Sequence, residues 1–379
     1  MLQDFELEQL VEPLLRWFVG HARVLPWREA PTPYRVWVSE IMLQQTRVEA
    51  VKPYFERFTR ALPDAKTLAE CPEDELLKLW EGLGYYNRVR NMQKAAIQVM
   101  EDYGGEIPAD YDELLKLKGI GHYTAGAIAS IAYGILVPAV DGNVLRVITR
   151  VTADDTDIMK QSFRGQMEDA LFAVMQEIEI PAELRQRLPR ENIPGALNQA
   201  LMELGATVCI PNGTPLCEQC PWKDVCLARQ DGRIADIPVK SKAKARKVEN
   251  RTVLILREGD KVAIRKRPDK GLLAGLYELP NVEGSLSSEE VLAKVKEMQY
   301  APIRIKELTE AKHIFSHIEW HMKGYAILVE EAGLAKEVQD DLIFVEAEDA
   351  SARYAIPAAF AVYANYMNIK LGNDRFEEK

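Results

Sequence analysis

Apolar residues recur at helical spacing along the first 230 residues of the chain. The first run lies in residues 2–20, and a loop over residues 25–33 follows it. Breaks at Gly and Pro then separate further amphipathic runs. These runs predict helices over 34–44, 47–59, 73–81, 86–103, 110–116, 123–133, 143–151, 163–178 and 194–208.

The pattern changes beyond residue 230. Residues 231–250 carry a basic stretch with almost no large apolar residues, which predicts an exposed linker, either a solvated connector or a contact for a phosphate backbone. Its basic residues are Lys240, Lys242, Lys244, Arg246 and Lys247. An α+β module is predicted to follow. Its strands are expected at 252–256, 262–264, 303–307, 313–319 and 323–329, and its helices at 288–298 and 357–368.

The composition fits two domains with sizeable cores, because the chain has 379 residues and a hydrophobic content of 47%. The acidic N-terminus is unlike a signal peptide, and the most apolar run, 125–140, is too short for a membrane span. We therefore expect a soluble intracellular protein. The net charge of −10 argues only mildly against a nucleic-acid partner, since local basic patches decide DNA affinity.

Glu40 is the first candidate for chemistry. Val36, Glu40 and Leu43 share one face of the helix predicted over 34–44, which places the carboxylate in an apolar stripe. Desolvation would raise the pKa of such a carboxyl and make it able to act as a general acid near neutral pH. The alternative is a surface glutamate on a helix whose apolar stripe faces elsewhere.

Asp141 is the second candidate. It precedes Gly142-Asn143 and a helical run, so it is suited to cap that helix. A capping aspartate is expected to have a lowered pKa, to stay ionised and to be able to face a developing positive charge. A protonated acid paired with an ionised carboxylate is the arrangement that cleaves glycosidic bonds.

A glycine-rich corner lies between these two segments. Gly119 and Gly121 bracket one apolar residue, and a helical run begins directly after them. Such a corner lets backbone N–H groups approach a phosphate at a helix N-terminus. An ordinary helical corner is the alternative that these residues alone leave open.

Four of the five cysteines crowd into one short segment, which indicates a metal site rather than a disulfide scaffold. They are Cys209, Cys217, Cys220 and Cys226. Zinc sites usually contain two CxxC-like pairs, whereas only Cys217 and Cys220 form such a pair here. The pattern favours an iron–sulfur cluster over zinc and leaves both open.

These features, in this order, resemble the helix-hairpin-helix DNA glycosylase superfamily and, within it, the adenine DNA glycosylase family of the MutY type. The resemblance covers most of residues 15–230 and extends more weakly into 250–368. The segments that carry it are 38–46, 80–86, 117–127, 140–144 and the cysteine segment, in which seven residues separate the first two cysteines, one more than the family pattern.

The resemblance implies a multi-domain fold. An all-α catalytic region with a [4Fe–4S] loop would occupy residues 1–230. Within it, a six-helix barrel would lie at about 28–137, and an iron–sulfur part would combine 1–27 with 138–230. The linker 231–250 and a Nudix-like 8-oxoguanine-recognition domain over 251–379 would follow. The acidic pattern of a Nudix hydrolase is absent around Gly275 and Glu278, which favours recognition over hydrolysis.

The resemblance also implies a reaction. The chain would bind duplex DNA with adenine opposite 8-oxoguanine or guanine, turn the adenine out of the stack, hydrolyse its N-glycosyl bond and leave an abasic site for base excision repair. Glu40 would protonate adenine N7, and Asp141 would stabilise the cationic sugar with support from Asn143 and Tyr123.

A monomer in the bacterial cytoplasm, working on the nucleoid, is the expected form. The four cysteines would hold a [4Fe–4S] cluster that braces a basic loop against DNA.

Further residues match DNA-contacting positions of the family. Those expected around the lesion pair and the phosphates are Gln45, Tyr85, Lys118, Gly119 and Gly121. The adenine pocket would use Trp27, Arg28, Leu43 and Val48, and 8-oxoguanine would be read by Phe315, Ser316 and His317. A plain core role is the alternative for Trp27, Leu43, Val48 and Phe315.

Two other functions stay open. An endonuclease III-like glycosylase with lyase activity would carry a lysine two residues after the second hairpin glycine, and this chain has Tyr123 there. A non-catalytic sensor of DNA structure would not need both Glu40 and Asp141.

Overall fold

The computed structural model describes residues 5–241, 245–330 and 342–373, and these pack as two units. The first unit consists of residues 5–70 and 91–241. The second unit consists of residues 71–90, 245–330 and 342–373. The sequence did not predict that residues 71–90 would pack with the C-terminal module.

The first unit is helical, and each helix predicted for it is present with its ends moved by a few residues. Short helices at Pro26–Glu29, Ala65–Glu70 and Ala182–Arg187 escaped prediction because one or two turns are too short to show a period. The α-helices are Val11–His21, Pro26–Glu29, Pro33–Leu43, Val48–Ala61, Ala65–Glu70, Asn87–Asp102, Tyr111–Lys116, His122–Ala127, Gly142–Val151, Gln161–Gln176, Ala182–Arg187, Ile193–Thr207 and Leu227–Gln230. The first residues of Asn87–Asp102 belong to the second unit. A π-helical turn covers Ile128–Ala132, and 3₁₀ turns cover Leu7–Leu10, Pro189–Glu191 and Cys217–Gln219.

One core of the first unit fixes the helix that begins after Asp141. Helix Ile193–Thr207 packs against both Gly142–Val151 and Val11–His21, and the three share one core of buried side chains, among them Leu14, Phe18, Val147, Leu201 and Leu204. Its start is therefore held by elements that lie far apart in the sequence.

A close backbone approach brings Tyr123 and Asp141 into neighbouring segments. Gly126 lies in helix His122–Ala127, and a Cβ atom built on it would lie 2.3 Å from the carbonyl oxygen of Pro138. Only glycine permits this contact without a shift of the backbone. The helix that carries Tyr123 consequently lies directly against the segment that leads into Asp141.

The second unit is built on an eight-stranded mixed sheet. The strands are β1 Lys247–Glu258, β2 Lys261–Lys266, β3 Tyr277–Glu278, β4 Asn281–Glu283, β5 Pro302–Glu307, β6 Ala311–Ile314, β7 Ile318–Val329 and β8 Leu342–Glu346. They follow the order β3-β2-β1-β7-β5, with β1 parallel to β7 and β7 antiparallel to β5. Off this path, β4 pairs with β1, β6 pairs with β7 and β8 pairs with β2. The helices are Glu73–Leu79, Ser288–Glu297, Ala347–Arg353 and Ala361–Tyr366, with a 3₁₀ turn at Ala358–Phe360.

Strand β1 reads as a continuous apolar run because both of its faces are covered. Val253 and Ile255 pack with Phe360 and Tyr363 on one face. Leu254 and Leu256 pack with Val291 and Val295 of helix Ser288–Glu297 on the other face. The fold class expected from the sequence, a helical region followed by an α+β module, is confirmed.

Several predicted boundaries differ from the structure. The strand predicted over 313–319 is two strands, β6 and β7, joined by a turn at residues 315–317. The helix predicted over 357–368 is a 3₁₀ turn followed by a short helix.

The predicted linker also differs from the structure. Ile237 is buried beside Ala153 and Ala228, so the first half of the predicted linker packs on the first unit. β1 begins at Lys247, inside the same predicted linker. Lys242 and Lys244 lie outside the described residues.

Within the described ranges, no helix is long and apolar enough to cross a membrane.

Candidate active site

Glu40 lies on a helix that is buried nearly all round. Thr32 caps the N-terminus of Pro33–Leu43 by accepting a hydrogen bond from the backbone N–H of Arg35, and Pro33 occupies the first turn. Most side chains from Tyr34 to Met42 are buried, and Glu40 itself is only 6% exposed. The surface alternative for Glu40 is therefore wrong.

The environment of Glu40 favours the protonated carboxyl. Its pKa is raised from 4.5 to about 7, because burial and the charge of Asp141 raise it by more than the hydrogen bond from Tyr123 and the charge of Arg28 lower it. The hydroxyl of Tyr123 donates to Oε2 of Glu40. Burial also raises the pKa of Tyr123 well above its ordinary value, so this phenol stays protonated and remains a donor.

Asp141 caps the helix Gly142–Val151, as its sequence context predicts. Its Oδ1 accepts a hydrogen bond of 2.8 Å from the backbone N–H of Val144, and its Oδ2 accepts one of 2.6 Å from the Asn143 side chain. Capping and a chemical role are compatible here, because the same carboxylate is held in place and lies close enough to Glu40 to change its pKa.

The expected direction of the Asp141 pKa was wrong. Burial raises the pKa of Asp141, and the hydrogen bonds from Val144 and Asn143 and the charge of Arg146 offset only part of that rise. Burial could not be inferred from the cap motif, since most caps lie at exposed helix ends. The donors still distinguish the two acids, because two hydrogen bonds hold the Asp141 carboxylate, whereas among the described residues the side-chain donor to Glu40 is one phenol.

Asn143 supports Asp141 as expected, whereas Tyr123 supports Glu40 instead. The amide of Asn143 is oriented by Arg146, whose Nη2 donates to its Oδ1 at 2.8 Å. Arg146 also donates to the backbone carbonyls of Gly205 and Cys209, both at 2.8 Å. The hydrogen bond to Asp141 therefore depends on a guanidinium anchored to the backbone.

A buried carboxylate that sequence reasoning missed holds Arg28 beside this site. Glu203 is 1% exposed and accepts hydrogen bonds from Arg28 at 2.9 Å and from Arg23 at 2.6 Å. These arginines hold the pKa of Glu203 below its ordinary value although burial alone would raise it. The available signal was a glutamate within the apolar face of helix Ile193–Thr207, three residues after Ala200.

The other residues expected in the adenine pocket are partly or wholly buried. Trp27 is 6% exposed, and its ring lies edge-on to Phe55 with centroids 5.4 Å apart, which agrees with a core role. Leu43 and Val48 are half-buried, at the end of one helix and the start of the next.

The glycine-rich corner and Gln45 present backbone shapes that side chains rarely allow. Gly119 has a φ of 79°, and a Cβ atom on it would lie 2.7 Å from Cβ of Asn91. Gly121 precedes helix His122–Ala127 as its N-cap, and Lys118 is exposed. Gln45 is exposed with a φ of 61°, in the left-handed region that is unusual for a residue with a side chain.

In the second unit, the structure brings Tyr85 together with the turn at residues 315–317. Tyr85 is 50% exposed, and Ser316 Oγ donates to its hydroxyl at 3.1 Å. The ring of Phe315 packs edge-on against Trp320 with centroids 4.9 Å apart, so Phe315 is partly a core residue, whereas Ser316 and His317 are exposed.

The four clustered cysteines lie in one neighbourhood of the first unit. Cys209, Cys220 and Cys226 pack against its core, and Arg150 Nη1 lies 3.4 Å from Sγ of Cys209. The pKa of Cys220 is raised to about 12, mainly by burial, against a backbone hydrogen bond from Trp222 that lowers it. Among the described residues, no three or more His, Cys, Asp or Glu side chains form a group that could hold a metal ion.

Comparison with known proteins assigns this site to a family. A model of the HhH-GPD superfamily of base excision DNA repair proteins matches residues 38–171, and a NUDIX domain model matches residues 251–365. The adenine DNA glycosylase of Mus musculus is 35% identical over 377 residues, which cover 84% of this chain and 70% of that protein. The adenine DNA glycosylase of Buchnera aphidicola subsp. Schizaphis graminum is 31% identical over 314 residues, covering 82% and 84%. The chain belongs to the adenine DNA glycosylase family.

Membership in the adenine DNA glycosylase family confirms the resemblance drawn from the sequence motifs. The HhH-GPD match includes Glu40, Tyr123 and Asp141, and the NUDIX match includes the turn at residues 315–317. A solved complex of endonuclease III with DNA covers 61% of this chain and 98% of that one at 23% identity, with a TM-score of 0.48.

The raised pKa of Glu40 predicts a pH-dependent stability difference. The unfolded carboxyl releases its proton near 4.5 and the folded one near 7, so the folded state loses stability as the pH rises through this interval. Glu40→Gln replaces this carboxyl with an amide, which does not ionise in either the folded or the unfolded state. Its thermal stability relative to wild type should therefore increase between pH 5 and pH 8, by about 3 kcal/mol at most.

The matched control is Glu49→Gln, since Glu49 is 76% exposed on the next helix. Its melting temperature should follow that of wild type at both pH values. If the melting temperatures of wild type and Glu40→Gln changed equally between pH 5 and pH 8, the claim that Glu40 is buried and holds a proton would be contradicted.

Proposed function

We propose that this chain releases adenine from duplex DNA in which the adenine lies opposite 8-oxoguanine or guanine, and leaves an abasic site. The observation that carries the proposal is the buried pair of carboxyls, Glu40 and Asp141, in which one side chain favours a proton and the other is surrounded by donors. Family membership supports adenine as the base that is released.

Glu40 is the general acid of this proposal. A carboxyl with a pKa of about 7 holds a proton at physiological pH and gives it up readily when a base nitrogen approaches. Protonation of adenine N7 turns a poor leaving group into a better one. After release, the same carboxylate is able to accept a proton from the water that attacks the sugar.

Asp141 stabilises the positive charge that develops on the sugar as the N-glycosyl bond breaks. The charge of Asp141 raises the pKa of Glu40, so a proton on Glu40 and a negative charge on Asp141 stabilise each other. Val144 and Asn143 hold both oxygens of Asp141, so this carboxylate stays fixed while the charge forms. Preorganised charge of this kind lowers the barrier without reorganisation during the reaction.

Tyr123 favours a glycosylase without lyase activity. A lyase of this superfamily needs an amine at this position to attack the sugar, and the phenol of Tyr123 donates to Glu40 and stays protonated. The endonuclease III-like alternative therefore lacks its nucleophile at the matched position.

The remaining site residues are proposed to bind DNA. Lys118, Gly119 and Gly121 would contact a phosphate, and Gln45 and Tyr85 would probe the bases around the lesion pair. The flipped adenine would lie against Trp27, Arg28, Leu43 and Val48, and 8-oxoguanine would be read by Phe315, Ser316 and His317. We further propose that the chain acts as a monomer on the chromosome in the cytoplasm.

We propose that Cys209, Cys217, Cys220 and Cys226 hold a [4Fe–4S] cluster. Clustered cysteine thiolates are the side chains that would hold such a cluster. Three of these cysteines pack against one core, and Arg150 Nη1 lies 3.4 Å from Sγ of Cys209, which supports a shared site with a cation beside it. The cluster would brace the loop between these cysteines and supply no step of the hydrolysis.

The activity is tested by single-turnover release of adenine from a duplex with adenine opposite 8-oxoguanine. Glu40→Gln and Asp141→Asn should each slow release by about a hundredfold or more, because one removes the acid and the other the fixed charge. The wild-type rate should fall as the pH rises through about 7, where Glu40 loses its proton. Glu49→Gln is the matched control and should retain the wild-type rate.

Full-rate release by both Glu40→Gln and Asp141→Asn would refute the proposed roles. Borohydride trapping separates the alternatives, since covalent capture of wild type on abasic DNA would indicate a lyase. Absence of adenine release by wild type would favour the non-catalytic sensor.

The cluster is tested by absorbance and metal analysis of purified protein. Wild type should be brown with broad visible absorbance and about four iron atoms per chain. Cys226→Ser should lose iron and colour, whereas Cys71→Ala, which removes a buried thiol of the second unit, should keep both. A colourless, zinc-replete wild-type protein would contradict the proposal.

A further inference from the structure

A buried ion pair anchors residues 71–90 to the C-terminal module within the second unit. Glu81 is fully buried, and its Oε2 lies 2.9 Å from Nζ of Lys78, whose side chain is 8% exposed. Lys78 also donates to the carbonyl oxygen of Tyr354 at 2.8 Å. The backbone N–H of Ile356 donates to Oε1 of Glu81 at 2.8 Å, and that of Gly372 donates to Oε2 at 3.0 Å.

The groups that surround Glu81 are rigid. Ile356 is fully buried in the core beneath the sheet, and Leu371, next to Gly372, belongs to the same core. A desolvated carboxylate with three donors is held strongly in place, and removal of its charge leaves the ammonium of Lys78 buried without its anion. Glu81 therefore fixes its own segment to one place on the C-terminal module.

The segment that Glu81 fixes leads directly into the turn of Tyr85. Tyr85 has a φ of 47°, in the left-handed region, after two glycines with positive φ. Trp80 is fully buried and donates from its indole to the carbonyl oxygen of Gly84 at 3.1 Å, and Arg88 donates to the same oxygen at 3.1 Å. The turn therefore has little freedom relative to Glu81.

Both the turn of Tyr85 and the turn at residues 315–317 belong to the second unit, and Ser316 Oγ donates to the Tyr85 hydroxyl. An exposed hydroxyl pair of this kind is weak by itself. Its geometry depends on how firmly residues 71–90 are held to the C-terminal module, and Glu81 provides a fully buried contact of that attachment.

We propose that Glu81 is a positioning residue that holds the Tyr85 turn against the 315–317 turn, and that this attachment is required to distinguish 8-oxoguanine from guanine opposite adenine. The inference rests on the proposed function for its readout. Neither carboxylate oxygen of Glu81 touches DNA in this scheme. Its effect is to keep the two recognition turns in one fixed relation.

The test compares Glu81→Gln with a matched control in the full-length protein. Glu278→Gln serves as the control, because Glu278 is 2% exposed in the same unit and binds Arg265, Arg267 and Asn281, none of which belongs to residues 71–90. The readout is the ratio of single-turnover rates on duplexes with adenine opposite 8-oxoguanine and opposite guanine. Glu81→Gln should lower this ratio by about tenfold, and Glu278→Gln should not lower it when both are assayed well below their melting temperatures.

Hydrogen exchange measures the attachment without any substrate. Backbone amides of Ile356 and Gly372 should exchange faster in Glu81→Gln than in wild type, and Glu278→Gln should leave them protected. If Glu81→Gln does not fold, Lys78→Met/Glu81→Gln replaces it, since a neutral pair leaves no buried charge.

The proposal would be overturned if Glu81→Gln left the rate ratio unchanged, or if Glu278→Gln lowered the ratio equally. It would also be overturned if the amides of Ile356 and Gly372 exchanged at the wild-type rate in Glu81→Gln. If wild type releases adenine from neither duplex, the proposed function fails. The exchange data then still decide whether Glu81 anchors the segment.

Discussion

The structure of the site depends on one constraint, which is that two carboxyls share a buried space where both cannot carry charge at low cost. Glu40 and Asp141 come from helices about one hundred residues apart in sequence, and each raises the free energy of ionising the other. The donors around them decide where the proton lies. Asp141 has a backbone N–H and the Asn143 amide, whereas among the described residues Glu40 receives its side-chain hydrogen bond from Tyr123.

The other buried glutamates in the described part of the chain have a different environment from that of Glu40. Glu203 binds two arginines, Glu81 binds a lysine and two backbone amides, and Glu278 binds two arginines and an asparagine. Each of these carboxylates is compensated by positive charge in direct contact. Glu40 instead contacts a phenol, so its environment suits a group that must release and regain a proton.

Sequence patterns predicted the parts of the molecule that depend on local order. The period of apolar residues gave the helix around Glu40, and the Asp-Gly-Asn motif gave the cap at Asp141. The family resemblance brought these acids together although no local pattern links them. The rise in the Asp141 pKa was missed because burial of a helix start is a property of the packed unit.

Contacts between distant segments were equally beyond the sequence. Glu81 meets the amides of Ile356 and Gly372 across more than 270 residues, and Glu203 meets Arg28 across 175. Each partner residue looks ordinary in its own segment. The apolar setting of Glu203 carried the same signal that identified Glu40, so a uniform search for charged residues on apolar helix faces would have found it.

The most direct measurement is the titration of the Glu40 carboxyl by carbon NMR of protein labelled at glutamate side chains, with Glu40→Gln used to assign the resonance. We expect a midpoint near 7 in wild type. A midpoint near the ordinary value of about 4.5 would contradict the claim that burial keeps a proton on this side chain.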